Sequence, residues 1–268
     1  MSGSNKGAAL VTGASTGIGA VYADRLAKRG YDLILVARDV DRLNALADRL
    51  RAETGVTVNV IKADLTDKTD LHAIEQRLRD DAAITLLVNN AGMGSQGGFA
   101  DTDLDKQEAL IDLNVTALMR LAGAAIPGFL ARGGGSIINL ASVLGFMPEM
   151  MPGLYSATKA FVITFSQALQ AELGGKGLYV QAVLPAAIAT EIWARGGRKI
   201  SDLPAGTVMG VDDLVDAALA GFDQREPITL PSLPDAGHWD AYTAARLTMA
   251  QNVGHDKPAA RYRETLAA

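Results

Sequence analysis

Val11-Thr12-Gly13-Ala14-Ser15-Thr16-Gly17-Ile18-Gly19 decides the fold. An apolar run, Ala8 to Val11, leads into three glycines spaced Gly-x-x-x-Gly-x-Gly, and helix-period sequence follows. The stretch therefore reads as a buried strand turning sharply into a helix. Missing side chains in such a turn let backbone N–H groups and the helix N-terminus approach a pyrophosphate. The spacing departs from the commoner Gly-x-Gly-x-x-Gly dinucleotide fingerprint, and a tight strand-to-helix turn that holds no ligand uses glycines in the same way.

Outward from this turn, Leu33 to Ala37, Val56 to Ile61, Leu86 to Val88, Ser136 to Leu140 and Leu178 to Leu184 read as further strands, separated by longer helix-period segments. Gly30 and Gly55 fall where helices end. Right-handed crossovers turn this alternation into an α/β fold, a doubly wound parallel sheet of the Rossmann kind, with about seven strands and helices on both faces. After Pro185 the alternation breaks. Residues 186–210, with Gly196, Gly197, Pro204 and Gly206, read as a substrate flap, followed by a short helix from Val211 to Phe222 and an edge strand from Ile228 to Leu230. A single domain over 1–268 is expected, with 231–268 assigned to no element.

The composition agrees. Aromatic residues make up only 5% of 268 and hydrophobic residues 49%, which suits a sheet tightly covered by helices. A net charge of −5 and scattered Lys and Arg give no field for nucleic acid. The absence of cysteine excludes disulfides, thiolate metal sites and a cysteine nucleophile, and fits a reducing compartment. No uninterrupted apolar run reaches about 18 residues, and Met1-Ser2-Gly3-Ser4-Asn5-Lys6 lacks the apolar core of a signal peptide. A cytoplasmic protein with no membrane partner is expected. His72, His238 and His255 share no metal-ligand spacing, so no metal is expected.

Tyr155 and Lys159, in Leu154-Tyr155-Ser156-Ala157-Thr158-Lys159, are four residues apart and share one face of the helix expected after Pro152. A phenol near pKa 10 is a feeble base at neutral pH. A nearby ammonium and a positively charged nicotinamide favour the phenolate, and a shift of about three units requires roughly 4 kcal/mol. Tyr155 then donates a proton to a carbonyl or removes one from an alcohol. The second strand ends in Val36-Ala37-Arg38, where NAD binders place an acid on the ribose hydroxyls. A guanidinium there pairs with a 2′-phosphate, so NADP (NADPH) is expected over NAD; a surface pair with Asp39 is the other reading of Arg38.

Gly13 to Gly19, Asp64-Leu65, Asn89-Asn90-Ala91-Gly92, Asn114, Ser142 and Tyr155-x-x-x-Lys159 stand in an order and at spacings that resemble the short-chain dehydrogenase/reductase family over residues 7 to 230. The resemblance implies an NADP-dependent oxidoreductase that interconverts a carbonyl and an alcohol on a small, largely apolar substrate by hydride transfer. It implies a catalytic group of Asn114, Ser142, Tyr155 and Lys159, with Ser142 polarising the substrate oxygen and Asn114 holding a water that links Lys159 to solvent. It also implies cofactor contacts from Gly13, Ser15, Thr16, Gly17, Ile18, Gly19, Arg38, Asp64, Leu65, Asn90, Ala91, Gly92, Tyr155, Lys159, Pro185, Ile188 and Thr190. Among these, Asp64 and Asn90 lie on the adenine side and Thr190 by the carboxamide.

Ala186 stands where the family has glycine after Pro185, so the loop is expected to follow a different path. Met147, Met150 and Met151 suit a broad apolar pocket, or else ordinary loop or interface packing. A homotetramer, or a homodimer, is implied by the family, and the helix after Asp103 is apolar at Leu110, Leu113, Ala117, Leu118 and Leu121. Two other functions share the features: a nucleotide sensor without turnover, and a dehydratase or epimerase, for which Glu149 is the acid nearest the cleft.

Overall fold

Ala8–Thr12 (β1) is buried along its whole length, as a strand must be when helices cover both faces of its sheet. The computed structural model describes residues 6–94, 99–151, 153–191 and 200–263; Pro152, Gly196 and Gly197 therefore lie outside the described residues. The further strands are β2 (Asp32–Ala37), β3 (Val58–Lys62), β4 (Ile84–Asn89), β5 (Gly135–Leu140), β6 (Leu178–Val183), β7 (Ala187–Ile188), β8 (Val208–Met209) and β9 (Ile228–Thr229). The main sheet has the order β3-β2-β1-β4-β5-β6-β9, and all its neighbours are parallel. The doubly wound α/β expectation holds.

The helices are α1 (Gly17–Lys28), α2 (Val40–Thr54), α3 (Lys68–Asp80), α4 (Leu104–Ile111), α5 (Leu118–Ala131), α6 (Leu154–Leu173) and α7 (Val211–Asp223). Alternate residues of β1 point to opposite faces. Ala9 and Val11 meet Tyr22 and Leu26 of α1, Leu43 and Leu50 of α2 and Leu214 of α7 in one core. Leu10 belongs to the other, with Ile74 of α3, Leu121 and Phe129 of α5 and Leu169 of α6.

Three differences from the sequence reading have physical causes. β3 starts at Val58 and not Val56, because the Thr57 N–H is taken by the Asp32 carboxylate (2.8 Å) and ladder pairing begins with Leu33 opposite Val58. Part of the flap is a parallel two-strand ladder, β7 with β8, too short to show a period of two. The stretch Leu104–Ala131 is long enough to cross a membrane, and an 18-residue window within it reaches a mean hydropathy of 1.5. Its apolarity serves the core, where Leu110, Leu121, Ala125 and Phe129 are buried.

Contacts within the chain gather into two compact units, Met1–Pro231 and Ser232–Ala268. The first carries the sheet and every expected site residue. The second contains α8 (Gly237–Gln251), which has no buried residue, and α9 (Ala260–Arg263). In α8, Trp239 and Tyr242 lie with ring centroids 5.1 Å apart.

A buried carboxylate ties α1 to α2 in the first unit. Asp24, on α1, accepts from Lys28 (2.7 Å), Arg25 (2.8 Å) and Arg49 of α2 (2.9 Å). Burial raises its pKa, but the hydrogen bonds from Lys28, Arg49 and Arg25 outweigh burial and hold it at about 2. Asp24→Asn leaves three cations facing an amide, and urea unfolding at pH 7 is expected to show a loss of about 3 kcal/mol. A carboxyl with a depressed folded pKa stabilises above its unfolded pKa and loses that contribution as pH falls through the folded one. The gap between parent and variant is thus expected to close from about pH 4 towards pH 2.

Candidate active site

The carboxyl ends of β1 and β4 leave a crevice where neighbouring strands send the chain in opposite directions. The N–H groups of Asn90 and Ala91 both donate to the Thr12 hydroxyl (3.0 Å each), which donates to Val88 O (3.3 Å). The Asn90 amide donates to Thr12 O (2.8 Å) and Gly13 O (3.2 Å). Gly13 has φ +66°, and a Cβ there would lie 2.9 Å from Ala91 Cα. At Gly19 a Cβ would overlap the Gly13 carbonyl and stand 2.5 Å from Asn90 Nδ2, so α1 reaches the turn only without a side chain. Thr16 precedes α1 and makes no side-chain cap, which leaves the helix N-terminus to face the crevice.

A cavity of about 780 Å³ opens at this point. Gly13, Ser15, Thr16, Gly17, Ile18, Arg38, Asp64, Leu65, Asn90, Ala91, Gly92 and Thr190 all line it. Gly19 lies behind the turn in the α1 packing, and Ile188 is buried in the core against β1 and α1. Pro185 contributes its carbonyl, which accepts from Val143 N–H (3.0 Å) and Ser142 Oγ (3.4 Å). Ala186 does not adopt a positive φ; among described non-glycine residues only Arg225 does. Thr190 Cγ2 stands 3.5 Å from where a Gly17 Cβ would be. A pyrophosphate fits this cradle because side chains are missing where it needs room and N–H groups are present where it needs donors.

Arg38 does not pair with Asp39. The Asp39 side chain caps α2 by accepting from Arg42 N–H (3.1 Å), and Arg38 lies instead 3.5 Å from Asp64 across the cavity. Burial raises the Asp64 pKa, and Thr66 hydrogen bonds together with Arg38 outweigh it, so the carboxyl is held below its ordinary range. Arg38 is 68% exposed at its side chain, available to an anion from the cavity.

Beside the cradle, Ser142, Tyr155 and Lys159 converge. Ser142, at the end of β5, precedes a short turn, Val143–Gly145, and accepts from Leu144 N–H (3.2 Å). Gly145 lets that turn press against α6: a Cβ there would lie 2.7 Å from the Lys159 backbone. Lys159 is buried; its ammonium donates to Leu140 O (2.7 Å) and stands 5.6 Å from the Tyr155 ring centroid. Burial lowers its pKa to about 8. Burial pushes the Tyr155 phenol up to about 12 against an opposing hydrogen bond with Ser142. The sequence reading expected Lys159 and a nicotinamide together to lower the phenol; of the protein's own groups, Lys159 faces the ring and donates to a carbonyl, and burial sets the direction upward.

Asn114 sits in a π-helical segment, Asp112–Ala117, between α4 and α5, a local widening that recurs at functional sites. Its side chain accepts from Met93 N–H (2.9 Å) and donates to Met93 O (2.9 Å) and Thr158 Oγ1 (3.2 Å). It thereby fastens the loop after Gly92 to α6. Gly92 joins the two halves of the site, since a Cβ there would lie 3.2 Å from Asn114 Oδ1 and 3.8 Å from Lys159 Nζ. Thr12, Thr158, Gly145 and Arg42 were not singled out from sequence. Of these, Arg42 alone carried a local signal, being a second arginine four residues after Arg38.

The family model described as short chain dehydrogenase matches residues 7–200. The chain belongs to the short-chain dehydrogenase family. It is 38% identical over 188 residues to a very-long-chain 3-oxoacyl-CoA reductase of Anas platyrhynchos, a match covering 69% of this chain and 60% of the relative. The chain thus spans about 60% of the length of the vertebrate reductases it matches. Of the solved structures, a short-chain dehydrogenase from Sphingobium yanoikuyae in complex with NADPH is 54% identical, with a TM-score of 0.93 over 96% of this chain and 99% of that one. A bulky-bulky ketone specific alcohol dehydrogenase from Comamonas testosteroni is 48% identical, with a TM-score of 0.89 over 97% and 99%.

In this short-chain dehydrogenase the buried Lys159 charge is a stability cost. A lysine with a depressed folded pKa destabilises fully below that pKa, and the penalty fades as pH rises towards the unfolded value. Lys159→Met is expected to raise stability by about 1 to 3 kcal/mol at pH 7, and the advantage should disappear between about pH 8 and pH 10.5. Thermal unfolding of both proteins across that range measures it.

Proposed function

We propose that this short-chain dehydrogenase interconverts a bulky, largely apolar ketone and its secondary alcohol with NADP(H). The observation that carries the reading is the joining, through Gly92, of a phosphate-sized cradle to a Ser142–Tyr155–Lys159 cluster. A bound nicotinamide supplies hydride in one direction and accepts it in the other. Tyr155 gives its phenolic proton to the carbonyl oxygen in reduction and takes it back in oxidation. Ser142, hydrogen-bonded to that phenol, is placed to donate to the same oxygen. Lys159, its ammonium 5.6 Å from the Tyr155 ring centroid, sets a positive charge beside the phenol that favours the phenolate left after proton transfer.

NADP(H) is supported by the exposed Arg38 at the end of β2 and by the NADPH complex of the Sphingobium relative. A bulky apolar substrate is supported by Met147 and Met150, which are exposed in the segment between Ser142 and Tyr155, and by the ketone-specific Comamonas relative. Residues 186–210 serve as the flap over that substrate, with 192–199 outside the described residues. Tyr155→Phe removes the proton donor and keeps the ring. Turnover on bulky aryl ketones is expected to fall about 10²- to 10⁴-fold, while NADPH binding by fluorescence is unchanged; full turnover in the variant would assign the proton to another group.

The protein works in the cytoplasm as a homotetramer, in this reading. Leu104, Ile111 and Met119 on the α4–α5 stretch are exposed, an apolar row suited to a second copy. Light scattering at micromolar concentration is expected to give four times the chain mass of 28.0 kDa, and a stable monomer would refute the assembly.

A further inference from the structure

Arg42 is the second cation lining the adenosine end of the cavity, and its guanidinium is engaged by a residue far along the chain. Its Nη1 donates to both carboxylate oxygens of Glu191, at 3.1 and 3.3 Å, and its Nε lies 3.3 Å from Asp39. Glu191 also lines the cavity and directly follows Thr190, which rests on Gly17. A carboxylate is thus carried across the cleft onto a guanidinium that faces the same space as Arg38. Both partners are about half exposed, so the pair is weak in water. A phosphate dianion makes the stronger charge-assisted contact with a guanidinium and can displace the carboxylate.

We propose that Glu191 is an internal competitor for Arg42: it occupies the guanidinium until the 2′-phosphate of NADP(H) takes its place, and it stays there when the nucleotide has no 2′-phosphate. The inference rests on the NADP(H) reading above. Arg42 then strengthens the preference for the phosphorylated cofactor, and Glu191 weakens it. Substitution at Arg42 leaves the α2 cap in place, because Asp39 accepts there from a backbone N–H.

The test is a thermodynamic cycle on the whole protein, with Kd for NADPH and for NADH measured by nucleotide fluorescence in the parent, Arg42→Gln, Glu191→Gln and the double variant. Arg42→Gln is expected to weaken NADPH about tenfold and leave NADH unchanged, with Arg42→Lys restoring part of the loss. Glu191→Gln is expected to tighten NADPH about two- to fivefold, leave NADH unchanged, and have no effect once Arg42 is gone. A parent that binds both nucleotides equally would overturn the NADP(H) reading and this inference with it. A parent that prefers NADPH, with the preference intact in Arg42→Gln, would overturn the inference alone. Tightening by Glu191→Gln that persists in the Arg42→Gln background would trace to net charge and would equally overturn it.

Discussion

One buried hydroxyl, that of Thr12, holds the cleft together. It satisfies the N–H groups of Asn90 and Ala91 at the point where β1 and β4 hand the chain to opposite sides of the sheet. Backbone donors in a buried bend need a partner, and the Thr12 hydroxyl accepts from both, the Asn90 N–H reaching Val88 O (3.1 Å) as well. With the two segments stitched, Asn90 reaches back to the Gly13 carbonyl, α1 closes against it at Gly19, and Gly92 is set beside Asn114 and Lys159. The glycine cradle and the Ser142–Tyr155–Lys159 cluster are consequently one object, joined through the same few hydrogen bonds.

Charge in this object is arranged at a cost to stability. Lys159 donates its ammonium to a carbonyl, Leu140 O, and burial brings its pKa down to about 8. Tyr155 is pushed the other way, to about 12. A base and an acid whose pKa values are drawn from their ordinary positions by burial are the usual mark of a working site. Elsewhere in the fold the opposite strategy appears: Asp24 is buried but surrounded by three cations, and its charge is held.

The sequence showed what is decided locally. The glycine turn, the Tyr155–Lys159 face and the buried strands each depend on residues close together in the chain, where sterics and periodicity act directly. What escaped depends on contacts between distant segments. Arg38 meets Asp64 and not its neighbour Asp39, because the cap of α2 claims Asp39. Arg42 meets Glu191 across 149 positions. The phenol's pKa direction required the depth of burial and the use of Lys159 on Leu140, neither of which spacing reveals. The helix α8 was missed because it buries no face and so imposes no period on its residues.

Transfer of label from the cofactor to the substrate tests the central claim most directly. The protein is mixed with a bulky aryl ketone and NADPH carrying deuterium on one or the other face of nicotinamide C4, and the alcohol is analysed by mass spectrometry. Direct hydride transfer in a fixed site predicts one deuterium on the carbinol carbon from one labelled isomer and none from the other. Alcohol that forms without deuterium from either isomer would contradict it.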